Sequence, residues 1–186
     1  NFVLKRGVFY KLSDSVMEFW LKNVYNKKQK SFIISAEDIA GQFRNYLAGL
    51  YQSFEEESKK SVITRFESLL KSFGNEIVEI DKKSHRLPKF SKIEVFNEDK
   101  NNVILAYADS KKWAFIVEEK EVKEADLFGY ISRLKSDKLV DKIVLISLCG
   151  IEMNAKLIAK ESKVWIWEPE DINFLMDAYK KIRIVL

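Results

Sequence analysis

The sequence predicts an α/β protein: a mixed sheet flanked by helices, preceded by a small, mainly helical N-terminal segment. Three observations carry this. Up to Gly74, after a short opening hairpin, apolar residues recur at helical spacing. Beyond it come three strand candidates in close succession, joined by short polar links, and then helix and strand alternate to the end. With 47% hydrophobic and 13% aromatic residues in 186, the chain has material for a sizeable core. At about 150 residues per domain the length allows one domain and a remainder, which we draw as 1–52 and 53–186. There is no internal repeat and no low-complexity tract.

Taken in order, Phe2–Asp14 reads as a hairpin around Lys5-Arg6-Gly7. Asp14 or Ser13 can cap a helix to about Tyr25, and Asn26–Lys30 is a basic break. A helix over Glu37–Tyr51 lines up Ile39, Phe43, Tyr46, Leu47 and Leu50. Another, over Phe54–Phe73, carries Val62, Phe66, Leu69, Leu70 and Phe73 and ends at Gly74 as its C-cap. Glu76–Ile80 is a strand, and Lys82–Lys92 a basic loop. Lys92–Phe96, Val103–Ala108 and Trp113–Glu121 then form antiparallel hairpins. A helix over Glu124–Lys135 precedes the apolar strand Ile143–Cys149, of the kind buried on both faces. Helix Met153–Lys160, strand Val164–Trp167 and helix Asp171–Tyr179 close the chain. Trp165 and Trp167 fall on one sheet face, Val164 and Ile166 on the other.

Composition limits the chemistry. The single cysteine, Cys149, excludes a disulfide framework and a cysteine-based zinc site, and inside an apolar strand it reads as a core thiol. The single histidine, His85, leaves no multi-histidine metal site and no Ser-His-Asp triad unless it supplies one, and it reads as a surface loop residue. Hydrolytic chemistry must therefore lean on 28 carboxylates and on lysines. A net charge of +4 permits an anionic partner without demanding one. The longest apolar run, near Ile143–Ile151, is far short of the ~18 residues of a membrane span. With no signal-peptide pattern, a reducing cytoplasm is the expected compartment. Asn1 in place of Met points to a piece of a longer parent.

Along Trp113-Ala114-Phe115-Ile116-Val117-Glu118-Glu119-Lys120, alternation puts Glu118 and Lys120 on one face. A carboxylate and an ammonium so placed can hold Mg²⁺ or Mn²⁺ and orient a water or phosphate; the same triplet also reads as a charged strand end in solvent. The second candidate is the loop containing Lys82, Lys83, Arg86, Lys89 and Lys92, five cations with no acid. It suits salt-dependent contact with DNA phosphates, with Phe90 or His85 free to stack on bases, or it is simply a solvated loop. Basic clusters at Lys27, Lys28 and Lys30 and at Lys180, Lys181 and Arg183 could extend that surface. Glu118, Glu119, Glu121, Glu124 and Asp126 form an acidic cluster that works against a nucleic-acid cleft.

The Glu118-x-Lys120 strand followed by helix, strand, helix resembles the core of the PD-(D/E)XK nuclease-like superfamily. With Gly7–Asp14, Phe19-Trp20, Leu87-Pro88-Lys89-Phe90, Val164–Trp167 and Asp171, the chain resembles the C-terminal part of a family of archaeal P-loop ATPases. There a nucleotide-binding domain is followed by a winged helix and a nuclease-like domain. The resemblance implies a restriction-endonuclease-like mixed sheet, a winged-helix exit in the first 52 residues, an ATPase and winged-helix partner in a parent chain, and Mg²⁺ or Mn²⁺ if active. It implies Glu118 and Lys120 as catalytic residues, Glu118 as the metal ligand and Glu67 as an accessory acid. The superfamily's acid on the preceding strand aligns with Ile104, which cannot ligate; Asn102 shares that residue's face, Asp109 has the opposite parity, and Glu94 or Asp99 could supply a migrated carboxylate. No Gly-x4-Gly-Lys-Ser/Thr occurs, so this chain holds no P-loop. Three functions follow: an impaired nuclease-like module contributing DNA or inter-domain binding, an active metal-dependent DNA endonuclease, or a purely structural or protein-interaction domain. Phe2–Tyr25 is expected to pack on the α/β core or to expose Phe9, Phe19 and Trp20.

Overall fold

The structure is a computed structural model that describes residues 3–12, 14, 17, 20–21, 25, 36–80, 83–98, 101–136 and 140–184. It divides into two units, Asn1–Lys60 and Ser61–Leu186. Phe2, Phe19, Lys27, Lys28, Lys30, Lys82 and Asp99, all drawn on above, lie outside the described residues.

The first unit opens with strands β1 (Val3–Arg6) and β2 (Phe9–Leu12), antiparallel with Arg6 opposite Phe9. The two-residue turn between them needs a positive φ, supplied by Gly7 at 67°. Asp14 Oδ1 accepts from the Met17 amide at 3.0 Å, the bond of a helix N-cap. Val8, Tyr10, Trp20 and Tyr25 are exposed. Helix α1 (Ala36–Ser58) runs straight through the Gln52/Ser53 boundary drawn from the sequence. Local bonds carry it across: Ser53 Oγ donates to the Gly49 carbonyl at 2.8 Å and Gln52 Nε2 to Glu56 Oε1 at 3.0 Å. The expected helices 37–51 and 54–73 are thus redrawn, with the break at Lys59–Ser61.

The second unit starts where Ser61, extended at φ −61° and ψ 151°, caps helix α2 (Val62–Leu70) by accepting from the Thr64 amide. The left-handed residue after α2 is Asn75 (φ 79°), not Gly74. Gly74 serves instead by closeness. Its amide donates to Glu76 Oε2 at 2.7 Å, and a Cβ there would lie 2.5 Å from Glu76 Oε1. Strands β3 (Ile77–Ile80) and β4 (Lys83–Arg86) form an antiparallel hairpin. The main sheet has the order β5 (Lys92–Glu98), β6 (Asn101–Ala108), β7 (Lys111–Glu118), β8 (Lys142–Ser147), β9 (Trp165–Trp167). The first three strands are antiparallel; β8 and β9 join in parallel through helices α3 (Glu124–Ser136) and α4 (Met153–Glu161). Helix α5 (Pro169–Ala178) follows, with a capping box between Glu168 and Asp171. This is the mixed sheet flanked by helices that the sequence predicts.

Register assigns each strand residue to a face. One face is aromatic. Phe115 packs on Trp113, Trp167 and Phe90, and Phe73 beyond α2 meets Phe90, Trp167 and Tyr179, the C-cap of α5. Arg65 on α2 donates to the Ile182 and Arg183 carbonyls, and Lys181 to Ser68 Oγ, tying α2 to the chain after α5. The other face is aliphatic: Ile116, Ile143 and Leu145 meet Leu127 and Ile131 of α3 and Ala155 and Ala159 of α4. Val164 and Ile166 belong to this cluster and Trp165 and Trp167 to the aromatic side, as alternation requires. Within β7, residues 113–117 are all buried, because both faces are covered.

Candidate functional site

Strand β7 ends at Glu118, where the apolar run ends. The Leu148 amide still donates to the Glu118 carbonyl at 2.9 Å, but residues 119–120 bend away from the ladder. Lys120 is exposed beyond that bend. The Glu118/Lys120 alternation expected on one continuous strand therefore stops two residues short of making the pair. Glu118 is half-buried on the aliphatic face, beside Ser147 of β8. Its Oε1 accepts from the Tyr130 hydroxyl of α3 at 2.5 Å. Burial, foremost, and this bond hold the Tyr130 phenol well above its usual pKa, so it remains a neutral donor.

Ile104, aligned above with the superfamily's acid, lies on the wrong face. It stands opposite Phe115, fully buried on the aromatic side, and Asn102 shares that side. The β6 residue on the Glu118 face is Val103, opposite Ile116. It is not a carboxylate. Glu67 sits on α2, which packs with the aromatic layer, and its carboxylate is bound to Lys71 at 2.6 Å. Glu94 is engaged by Lys92 at 2.6 Å and by the Tyr107 hydroxyl at 2.8 Å; these bonds lower its pKa, that with Lys92 most. Among the described residues no three His, Cys, Asp or Glu side chains are grouped to hold a metal ion. The donor set around Glu118 is one carboxylate with a phenol on it, and it does not fit the paired-acid Mg²⁺ or Mn²⁺ centre that the resemblance implies.

The loop beyond β8 rests on the same edge. Ser147, fully buried, donates to the Gly150 carbonyl at 2.5 Å, and Gly150 takes φ 94°. Val122 bonds Gly150 and Ile151 bridges Val122, so the loops after β7 and β8 run side by side. Cys149 is exposed here, its thiol against the Glu119 carbonyl at 3.0 Å. It is not a core thiol: β8 ends two residues before it, and the turn at Gly150 turns it outward.

The basic segment is not all loop. Lys83–Arg86 is a strand, with Lys83 and His85 on one side and Arg86 on the other. Lys83, Arg86 and Lys89 are exposed, and Lys92, also exposed, is tied to Glu94. His85 is half-buried, edge-on to Trp165 at 3.9 Å between centroids, and Phe90 is buried among Phe73, Trp113 and Phe115. Both rings expected to stack on bases are thus spent on packing. Of the C-terminal basic cluster, Arg183 pairs with Asp177 at 2.7 Å and Lys181 with Ser68, while Lys180 is exposed.

Two participants escaped the sequence reading. Tyr130 is half-buried on α3, where its phenol needs an acceptor, and Glu118 is the one at hand. Lys142, the first residue of β8, lies over the Trp165 ring at 3.3 Å and near Trp113 at 5.8 Å. Burial pushes its ammonium down to about 8.

No family model matches the sequence, and no curated protein matches it. Among solved structures, one described as EndoMS in apo form is similar over 59% of this chain, with 8% identity and a TM-score of 0.37. The chain spans about half of that chain, 47% of its length. A likeness at that level carries no argument about activity. No helix among the described residues is long and apolar enough to cross a membrane.

Proposed function

We propose that the chain is a nuclease-like module that binds and does not cut: a degenerate PD-(D/E)XK domain contributing DNA contact or domain docking to a parent ATPase. The observation that carries this is the apolar Val103 on the β6 face that Glu118 shares. A paired-acid centre needs a carboxylate there to share a divalent cation. Lys120, off the strand, and the Tyr130 bond to Glu118 point the same way. For the binding role the support is the exposure of Lys83 and Arg86, on opposite sides of β4, and of Lys89 beyond it, each open to sequence-independent phosphate contact. The DNA part of the reading rests on these side chains, and the ATPase parent rests on the sequence resemblance.

Supercoiled plasmid incubated with the chain and Mn²⁺ or Mg²⁺ tests the loss of cutting. No nicking above that of Glu118→Gln is expected; metal-dependent nicking that Glu118→Gln abolishes would establish an active endonuclease instead. Titrating duplex DNA over a range of salt tests binding. The logarithm of affinity should fall linearly with that of salt, and replacing Lys83, Arg86 and Lys89 by alanine should flatten the slope by roughly 2–3. No binding at low salt would leave domain docking as the function.

A further inference from the structure

We propose that the DNA backbone is held at the amino ends of β7, β8 and β9, against lysines at the end of the sheet remote from Glu118. This deepens the binding reading above and rests on it. Register brings the lysines together. Lys111 and Lys112 open β7, and Lys142 opens β8 opposite Trp113. Lys163, left-handed at φ 58°, turns the chain from α4 into β9. Because the three strands are parallel, these four residues gather at one end. Lys111 and Lys163 are exposed. Lys142 rests on Trp165, against which His85 of β4 also packs, so the exposed cations of β4 adjoin the same end.

The acids described at this end are fewer. Asp141 accepts the Lys112 amide through Oδ2, and Asp109 stands in the turn between β6 and β7. Lys160 and Glu161, in the last turn of α4, offset each other, and Glu94 is held by Lys92. The carboxyl end is the reverse. Glu118 ends β7, Glu119 and Glu121 follow it, and Glu124 and Asp126 open α3, with Lys120 and Lys123 the cations among them. Open α/β sheets ordinarily take ligands at that end, but a phosphate backbone brought there meets like charge. The two ends are well separated. From Lys112 to Glu118 the strand advances about 20 Å at roughly 3.3 Å per residue. DNA phosphates lying against Lys111 and Lys112 are that far from the Glu118 carboxylate, a reason for the absence of cutting that is independent of Val103.

Lysine footprinting of the full chain tests this: acetylation by dilute acetic anhydride with and without a short DNA duplex, read by mass spectrometry. Lys111, Lys142 and Lys163 should be protected by the duplex, and Lys120 and Lys123 should acetylate as they do in the free chain. Two charge-matched double variants carry the test into affinity. Lys111→Glu/Lys163→Glu should lose about tenfold or more at low salt and flatten the salt slope by roughly 2. Lys120→Glu/Lys123→Glu, with the same change in net charge, should bind nearly as the natural chain does. Protection of Lys120 and Lys123 in place of the other three, or equal losses from the two variants, would overturn the proposal and leave DNA binding standing. A natural chain that binds no duplex at low salt would remove the DNA reading itself, and this proposal with it.

Discussion

The two faces of the sheet are built from different side chains and end differently. The aromatic face is closed along its length: Trp113 and Phe115 of β7 and Trp167 of β9 lock with Phe73 and Phe90. The aliphatic face is packed by Ile116, Leu145 and the helices α3 and α4, and then gives out at the carboxyl ends of β7 and β8. Polar groups gather where it gives out: Glu118, Tyr130, Ser147 and Cys149. Ligands of open α/β sheets bind outside the carboxyl ends of their strands, so the sheet offers a place for chemistry on one face and forgoes it on the other. The resemblance-based alignment put its missing acid at Ile104, on the closed face. Register moves the question to Val103, on the open one, and the answer is again an apolar residue.

The largest effect expected from this asymmetry is on stability. Phe115→Ala should cost about 3–5 kcal/mol, since it empties the centre of the aromatic cluster. Leu145→Ala on the other face should cost about 2–4 kcal/mol, where neighbouring aliphatic side chains can partly collapse. Urea unfolding of both variants reads the difference. Equal or reversed costs would mean that the aromatic face is not the better packed of the two.

A smaller effect separates two carboxylates that each hold a tyrosine hydroxyl. Tyr130→Phe takes from half-buried Glu118 its one described side-chain donor, and should cost about 1–2 kcal/mol. Tyr179→Phe leaves Glu76 its bond from the Gly74 amide and should cost less than that, about 0.5–1 kcal/mol. Both phenols are raised above their usual range, chiefly by burial. Of the seven tyrosines, these two should therefore be the last to ionise when absorbance is followed into alkali. Full ionisation of all tyrosines near the ordinary pKa would break the Glu118–Tyr130 pairing on which the inactive reading leans.

Much of the architecture was legible, for identifiable reasons. Short polar links such as Asp109-Ser110 announce hairpins, and period-two alternation placed Trp165 and Trp167 correctly. What stayed hidden is whatever depends on where a strand ends. The triplet Glu118-Glu119-Lys120 reads the same whether the ladder stops at its first residue or its last, and only the bend at 119–120 decides. Cys149 was misplaced for the same reason, two residues past β8. The acid position that the resemblance aligns with Ile104 falls on the aromatic face, one residue from Val103 on the face of Glu118, and a shift of one inverts every face. In the helices, Gln52-Ser53 looked like a break, but side-chain bonds back along α1 absorbed it; the real stop is the Ser61 cap.

The smallest effect belongs to Lys142, the charge that the aromatic face tolerates at its rim. Its ammonium rests on Trp165 with burial lowering its pKa from 10.5 to about 8. The unfolded chain therefore holds more protons than the folded one between pH 8 and about 10.5, and stability must rise with pH across that window. Above pH 10 the raised phenols of Tyr130 and Tyr179 oppose it, because the unfolded state sheds their protons first. The clean interval is pH 8 to 9.5. After discounting for its exposed half, the gain should be no more than about 1 kcal/mol. Thermal melts across that interval should show a rising midpoint in the natural chain and a flat one in Lys142→Met. A flat profile in both would mean that Trp165 does not hold Lys142 out of water, and that the aromatic face is open at that rim as well.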